Sequence, residues 1–304
     1  MLVGLHDHHV HLAALAAEAA SVRVGPAEAG DRGGLVGALR SGPPGSGCGP
    51  SATTRCRGEL DRWVLDDFAP DRPVRVQHRS GRCGCGTAPR CGPPGWRAGP
   101  RGDGGDGRFW REDERLRGFT PPVRLDLRGV GARAAAYRIT GFTNADPHPG
   151  QDLPGLLSVL PQRLVVMGIG DAPVKFLLDD ATLPTPGELA ASVAAVRPRP
   201  VAVHCVTRVQ LLVTLLALDE AGPVAGDRIE HGSVIPAETL PWLARLGVTV
   251  VTQPHFPVER GREYATDVDP DDQAHLYRCR SLAEAGSRSP PGPTRRTGVP
   301  TPGR

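Results

Sequence analysis

From residue 163 to residue 252 the chain repeats one pattern, a short, β-branched, almost wholly apolar run followed by a helical stretch. Arg163–Gly168 and Val174–Asp179 read as strands. Thr185–Val196, opened by Thr-Pro-Gly-Glu with proline near the first turn, reads as a capped helix. Strand Pro200–Cys205, helix Thr207–Ala221, strand Arg228–His231, helix Pro236–Leu246 and strand Val248–Thr252 follow in turn. Strands that are apolar on both faces and separated by helices belong to a parallel sheet covered by helices. The remaining segments agree: a strand over 138–143 leading to Asn144 and Asp146, and helices over Leu12–Val22, Leu153–Leu160 and Asp271–Ala285. One junction breaks the pattern. Only Ile169–Pro173 separates two strands, whereas a parallel crossover takes about 10–12 residues. Either these strands are not paired neighbours, or a helix has been lost.

The polar residues of this pattern sit at the carboxyl ends of strands: His9 and His11, Lys175, His204, His231. In a (β/α)8 barrel that end is the active face. A doubly wound sheet would more often carry a Gly-rich phosphate turn, and the chain has none. The expected fold class is therefore α/β, an incomplete (β/α)8 TIM-like barrel, with a barrel domain over 1–286 and a tail over 287–304.

In Asp7-His8-His9-Val10-His11, strand alternation puts Asp7, His9 and His11 on one face and His6 and His8 on the other. Two imidazoles on one strand face can ligate one ion, with Asp7 orienting a ring nitrogen from behind. An H-x-H alone also occurs in surface histidine runs. Lys175 is the single lysine of a chain holding 36 Lys+Arg. Arginine serves wherever only positive charge is needed, so a lone lysine points to a role that needs a reactive amine. His204 closes Pro200-Val201-Ala202-Val203, and His231 repeats the design one βα unit later. The ordered set H-x-H, Lys, His, His is far more specific than any member. Cys205, next to His204, falls on the opposite strand face and reads as core.

These motifs resemble the amidohydrolase superfamily, in the branch of amidohydrolase family 3 that includes formamide-deformylase-like enzymes. The carrying segments are Gly4-Leu5-His6-Asp7-His8-His9-Val10-His11-Leu12, Pro173-Val174-Lys175-Phe176, Val201-Ala202-Val203-His204, Arg228-Ile229-Glu230-His231-Gly232 and Thr252-Gln253-Pro254. The resemblance implies a metal-dependent hydrolase of non-peptide carbon–nitrogen bonds, such as amides or formamides, acting through a metal-activated hydroxide. By that resemblance His9 and His11 hold one divalent metal, zinc in the first instance, and His204 and His231 a second. Lys175, carboxylated by CO2, bridges the two, and Lys175 and His231 are the catalytic pair. A carbamate needs a primary amine, which accounts for a lysine that arginine has not replaced. Arg228 and Glu230 read as strand-end ion-pair formers. His78, Gln253 and His255 are candidates to face a small-molecule substrate.

The chain also departs from the family. Its eighth strand, whose aspartate is a ligand and proton shuttle, should follow Leu282-Ala283-Glu284-Ala285-Gly286, where Ser-Arg-Ser-Pro-Pro-Gly-Pro stands instead. The flanking β-sandwich is missing. Three windows, 42–58, 81–108 and 287–304, are dominated by Gly, Pro, Arg, Cys, Ser, Thr and Ala. With no Val, Ile, Leu, Phe or Met in the first two, they should be disordered insertions. Their abrupt borders read as out-of-frame translation of a GC-rich coding sequence. Two rival readings follow: a catalytically inactive amidohydrolase remnant without the last-strand aspartate, and a zinc or nucleic-acid module built on Cys83, Cys85 and Cys91. Zinc knuckles use C-x2–4-C pairs, which Cys83-x-Cys85 does not supply. A net charge of +3 gives no nucleic-acid footprint. No signal peptide and no membrane span are legible, and a reduced, cytoplasmic setting is the expectation.

Overall fold

The computed structural model describes residues 4–22, 24, 30–41, 60–70, 74–77, 83–86, 107–110, 125–146, 149 and 153–286. The chain packs as two compact units, one of Met1–Leu12 with Leu127–Arg304 and one of Ala13–Asp126.

The first unit is parallel α/β. Strands β1 (Leu5–Val10), β5 (Ile139–Asn144) and β6 (Arg163–Val166) form a three-stranded sheet in the order β1-β5-β6. Strands β7 (Val174–Phe176), β8 (Val201–Cys205), β9 (Arg228–His231) and β10 (Thr249–Val251) form a four-stranded sheet, again in chain order. Every pairing in both sheets is parallel. Among the described residues β6 does not pair with β7, nor β10 with β1, so the strands form two sheets and not a closed barrel. The short Ile169–Pro173 link explains the first break. It closes as a local turn, with Gly168 N–H donating to the Pro173 carbonyl at 2.8 Å, and leaves no length for a crossover helix. Of the two readings offered by the sequence, unpaired neighbours is the one observed.

The helices cover the outer face of the larger sheet. Val201, Val203 and Cys205 of β8 and Ile229 of β9 point into one apolar cluster with Leu189 and Val193 of helix Pro186–Ala194 and Leu211 and Leu215 of helix Arg208–Ala221. Fully burying side chains of this kind stabilises by roughly 1.5–3 kcal/mol each. The capping box at Thr185 is formed: its hydroxyl accepts from Glu188 N–H at 3.3 Å, and the Glu188 carboxylate accepts from Thr185 N–H at 2.8 Å. Two helices differ from expectation. Pro236–Leu246 opens as a 3-10 turn, Ala237–Thr239, before helix Leu240–Leu246. The span 271–285 is split into helices Pro270–Gln273 and Cys279–Glu284, because Tyr277 between them has a left-handed backbone with φ 47°. Helix Phe256–Asp267 has no counterpart in the sequence reading.

The second unit holds helices Arg32–Ser41 and Arg62–Phe68, packed through Leu35, Leu39, Leu65 and Phe68. It also holds an antiparallel sheet of β2 (Arg75–Gln77), β3 (Cys83–Gly86) and β4 (Arg108–Trp110). This corrects the expectation that 81–108 is structureless, since β3 and the start of β4 lie inside it. A ladder is made by backbone N–H and C=O groups, which glycine and cysteine supply as well as valine does. Composition argued only about side-chain burial. The windows 42–58 and 287–304, with 81–82 and 87–106, lie outside the described residues. No helix among the described residues is long and apolar enough to cross a membrane.

Candidate functional site

The register of the four-stranded sheet decides which side chains share its inner face. Lys175 pairs with Ala202, Ala202 with Arg228, and His204 with Glu230. Side chains at paired positions of a parallel ladder point the same way. Lys175, His204, Arg228 and Glu230 therefore line one face, opposite the outer cluster that takes Val203, Cys205 and Ile229. Cys205 is buried as the sequence reading placed it, its thiol 3.2 Å from the Thr214 hydroxyl, and burial pushes that thiol up to about 12.

His231 breaks the alternation. It pairs with Cys205, so a regular strand would bury it in the outer core. Its backbone is instead left-handed, with φ 71°, and Gly232 continues at φ 49°. This turn brings the His231 ring to 4.6 Å from those of both His9 and His204. A side chain at position 232 has no room, because a Cβ there would lie 2.7 Å from Val250 Cγ1.

A second irregularity sits on β1. Asp7 pairs with Phe142 and Val10 with Asn144, so β1 advances three residues where β5 advances two. This bulge puts Asp7 and Val10 on one face and His6 and His9 on the other. It corrects the expectation that Asp7 shares a face with His9. The Asp7 carboxylate turns back to accept the His9 backbone N–H at 3.0 Å, and burial raises its pKa to about 7. The His9 ring is oriented from across the unit instead, its Nδ1 bonded to Glu230 Oε2. His6 bonds Thr143 Oγ1 at 2.9 Å, and its ring lies 4.5 Å from that of His8.

Glu230 is fully buried and is the hub of the site. Arg228 Nε and Nη2 both donate to it, and Arg228 Nη2 also donates to the His8 carbonyl at 2.6 Å. Burial opposes charge on Glu230, but the His9, Lys175 and Arg228 groups around it hold its carboxyl well below the usual range. Burial, and then the Lys175 ammonium, lower His9 to about 3, which keeps its ring neutral. Arg228 and Glu230 are the ion pair that the sequence indicated; that Glu230 also orients His9 was not legible.

The other rings are held in the same manner. His11 Nδ1 lies 2.7 Å from Asp146 Oδ1, and His231 Nδ1 lies 3.0 Å from Gln253 Oε1. Gln253, a candidate for facing substrate, is buried against His231. His255 stands at the start of helix Phe256–Asp267 with its ring 4.6 Å from that of Phe256. His78 lies outside the described residues.

The structure thus brings His9, His11, His204 and His231 into one chain of ring contacts, His9 to His11 at 5.4 Å, with Lys175 on the same inner face as His204. A proton on Nδ1, facing an acceptor, leaves Nε2 of His9, His11 and His231 as a lone-pair donor, the arrangement that ligating histidines use. The donor set fits a divalent cation by its chemistry. The rings touch one another, and among the described residues no three His, Cys, Asp or Glu side chains are gathered as a ready cage.

No family model matches the chain, and no curated protein matches it. Solved structures do. One, described as an uncharacterized metal-dependent hydrolase from Pyrococcus furiosus, superposes with a TM-score of 0.64 at 17% identity, covering 93% of this chain and 71% of its own. Another, described in the same terms and from Pyrococcus horikoshii OT3, gives a TM-score of 0.67 at 16% identity, covering 93% and 68%. The likeness is one of fold.

Proposed function

We propose that the protein is a metal-dependent hydrolase of the amidohydrolase type that cleaves non-peptide carbon–nitrogen bonds, amides or formamides, in small molecules. One observation carries this reading: residues from four separate strands, His9, Lys175, His204 and His231, meet on one inner face, three with their rings in contact. The description of both structural neighbours as metal-dependent hydrolases supports it.

His9, His11, His204 and His231 would hold the ion or ions, with zinc the first candidate for this nitrogen-rich set. A divalent cation supplies Lewis acidity here, polarising a carbonyl and making water acidic near neutral pH. Lys175 must change state for this. As an ammonium it repels a cation and lowers His9. Its neutral amine can add CO2, forming an N–C bond and releasing one proton, and the carbamate turns a positive charge into a negative one with two oxygen donors. Glu230 and Gln253 fix the rings of His9 and His231, and Arg228 keeps Glu230 ionised.

Hydrolysis of a panel of N-formyl and simple amide compounds, with Zn2+ and bicarbonate added, tests the reading. Turnover that is lost in Lys175→Arg supports it; no turnover with any divalent metal contradicts it. A second reading, a fold that keeps the residues without the activity, is favoured by the ring-to-ring packing of the imidazoles. It predicts unchanged stability and no hydrolysis on metal addition.

A further inference from the structure

Asn144 and Asp146 belong to no motif read from the sequence, yet they bond to one another and to His11. Asn144 is fully buried at the end of β5. Its Oδ1 accepts the Leu12 backbone N–H at 3.0 Å, and its Nδ2 donates to Asp146 Oδ2 at 3.0 Å. The other carboxylate oxygen of Asp146 lies 2.7 Å from His11 Nδ1. The set starts on the backbone of the residue after His11 and ends on its ring.

With Asp146 as the carboxylate, one arrangement of protons satisfies it. Flipping the Asn144 amide would set its NH2 against the Leu12 N–H and its oxygen against a carboxylate, two repulsive contacts. With the amide fixed and Asp146 ionised, both carboxylate oxygens accept, so His11 Nδ1 carries a proton. A neutral His11 then has its lone pair on Nε2. Asn144 is fully buried, so an unmatched amide there would be costly and the bonds it makes hold its orientation.

We infer that Asn144 and Asp146 are positioning residues that fix the tautomer and direction of the His11 ring, through a relay running from Leu12 N–H to His11 Nδ1. Its consequence for metal binding rests on the reading of His11 as a ligand; the tautomer does not. The carboxylate acts through His11 and touches no substrate atom.

The test uses the full-length, metal-free protein with 15N-labelled histidine. Long-range 1H–15N spectra, with His11→Ala for assignment, report which ring nitrogen bears the proton. The wild type should show His11 as the Nδ1–H form. Asp146→Ala should shift it to a mixture or to Nε2–H. Asp146→Asn, whose one amide oxygen accepts from Asn144 Nδ2 and whose NH2 then faces His11 Nδ1, should drive the ring to the Nε2–H form. Asn144→Ala should move the spectrum in the same direction as Asp146→Ala. Asp146 is partly exposed, so its truncation should leave the fold intact; Asp146→Ser gives the same comparison if it does not. An unchanged His11 tautomer in Asp146→Ala would overturn the relay. Titration of the same variants with Zn2+ alone should show affinity weakened about 10- to 100-fold in both Asp146→Ala and Asp146→Asn. A wild type that binds no Zn2+ while showing the expected tautomers would sink the metal reading and leave the relay standing.

Discussion

At the scale of single residues the site depends on two irregular backbones. The left-handed turn at His231 and Gly232 and the bulge in β1 each move a histidine off the face that alternation assigns to it. Gly232→Ala tests the first. A side chain at positive φ costs about 1–2 kcal/mol, and the methyl would also meet Val250 Cγ1 at 2.7 Å. The variant should lose at least that much stability in urea unfolding and lose Zn2+ affinity with it; full stability together with wild-type binding would show that the turn is not needed. The placement of Lys175, His204 and His231 at strand ends was legible, because lone polar residues closing apolar strands stand out. How they are held was not. Glu230 was read only as an ion-pair former, because its contact with His9 joins residues far apart in sequence. The bulge was hidden too, since four histidines among residues 6–11 look the same in either phase.

At the scale of elements, the segments with several agreeing signals were placed well. Thr-Pro-Gly-Glu supplied a cap, a proline and a carboxylate together, and helix Pro186–Ala194 begins there. Thr185→Ala removes the hydroxyl that caps Glu188 N–H and should cost about 1 kcal/mol, measured as a lower unfolding midpoint with an unchanged denaturant slope. A change below a few tenths of a kcal/mol would mean that the cap is replaced by water. Segments decided by long-range packing were placed poorly. The left-handed backbone of Tyr277, whose N–H donates to the Ser233 carbonyl at 2.9 Å, splits what local sequence presents as one helix. Cys83–Gly86 pairs through backbone groups that composition does not describe.

At the scale of the molecule, the parallel α/β architecture of the first unit followed from periodicity, while closure did not. The two sheets share no ladder among the described residues, yet Glu230 and Arg228 of one reach His9 and the His8 carbonyl of the other. This buried ion cluster replaces strand pairing as a tie between them. Glu230→Gln leaves the Arg228 guanidinium buried without its countercharge and should destabilise by about 3–5 kcal/mol. It should also lower the protection of β1 and β9 amides against hydrogen exchange together; loss confined to β9 would separate the two sheets energetically.

In the proposed metal site, histidines and a lysine far apart in the chain act together. The direct measurement is metal content after dialysis against Zn2+, by mass spectrometry, for the wild type and for His9→Ala, His204→Ala and His231→Ala. A shared site predicts one or two equivalents in the wild type and a loss in each variant, including His9→Ala, whose residue lies more than two hundred positions from His231. Retention of wild-type zinc in all three would contradict it.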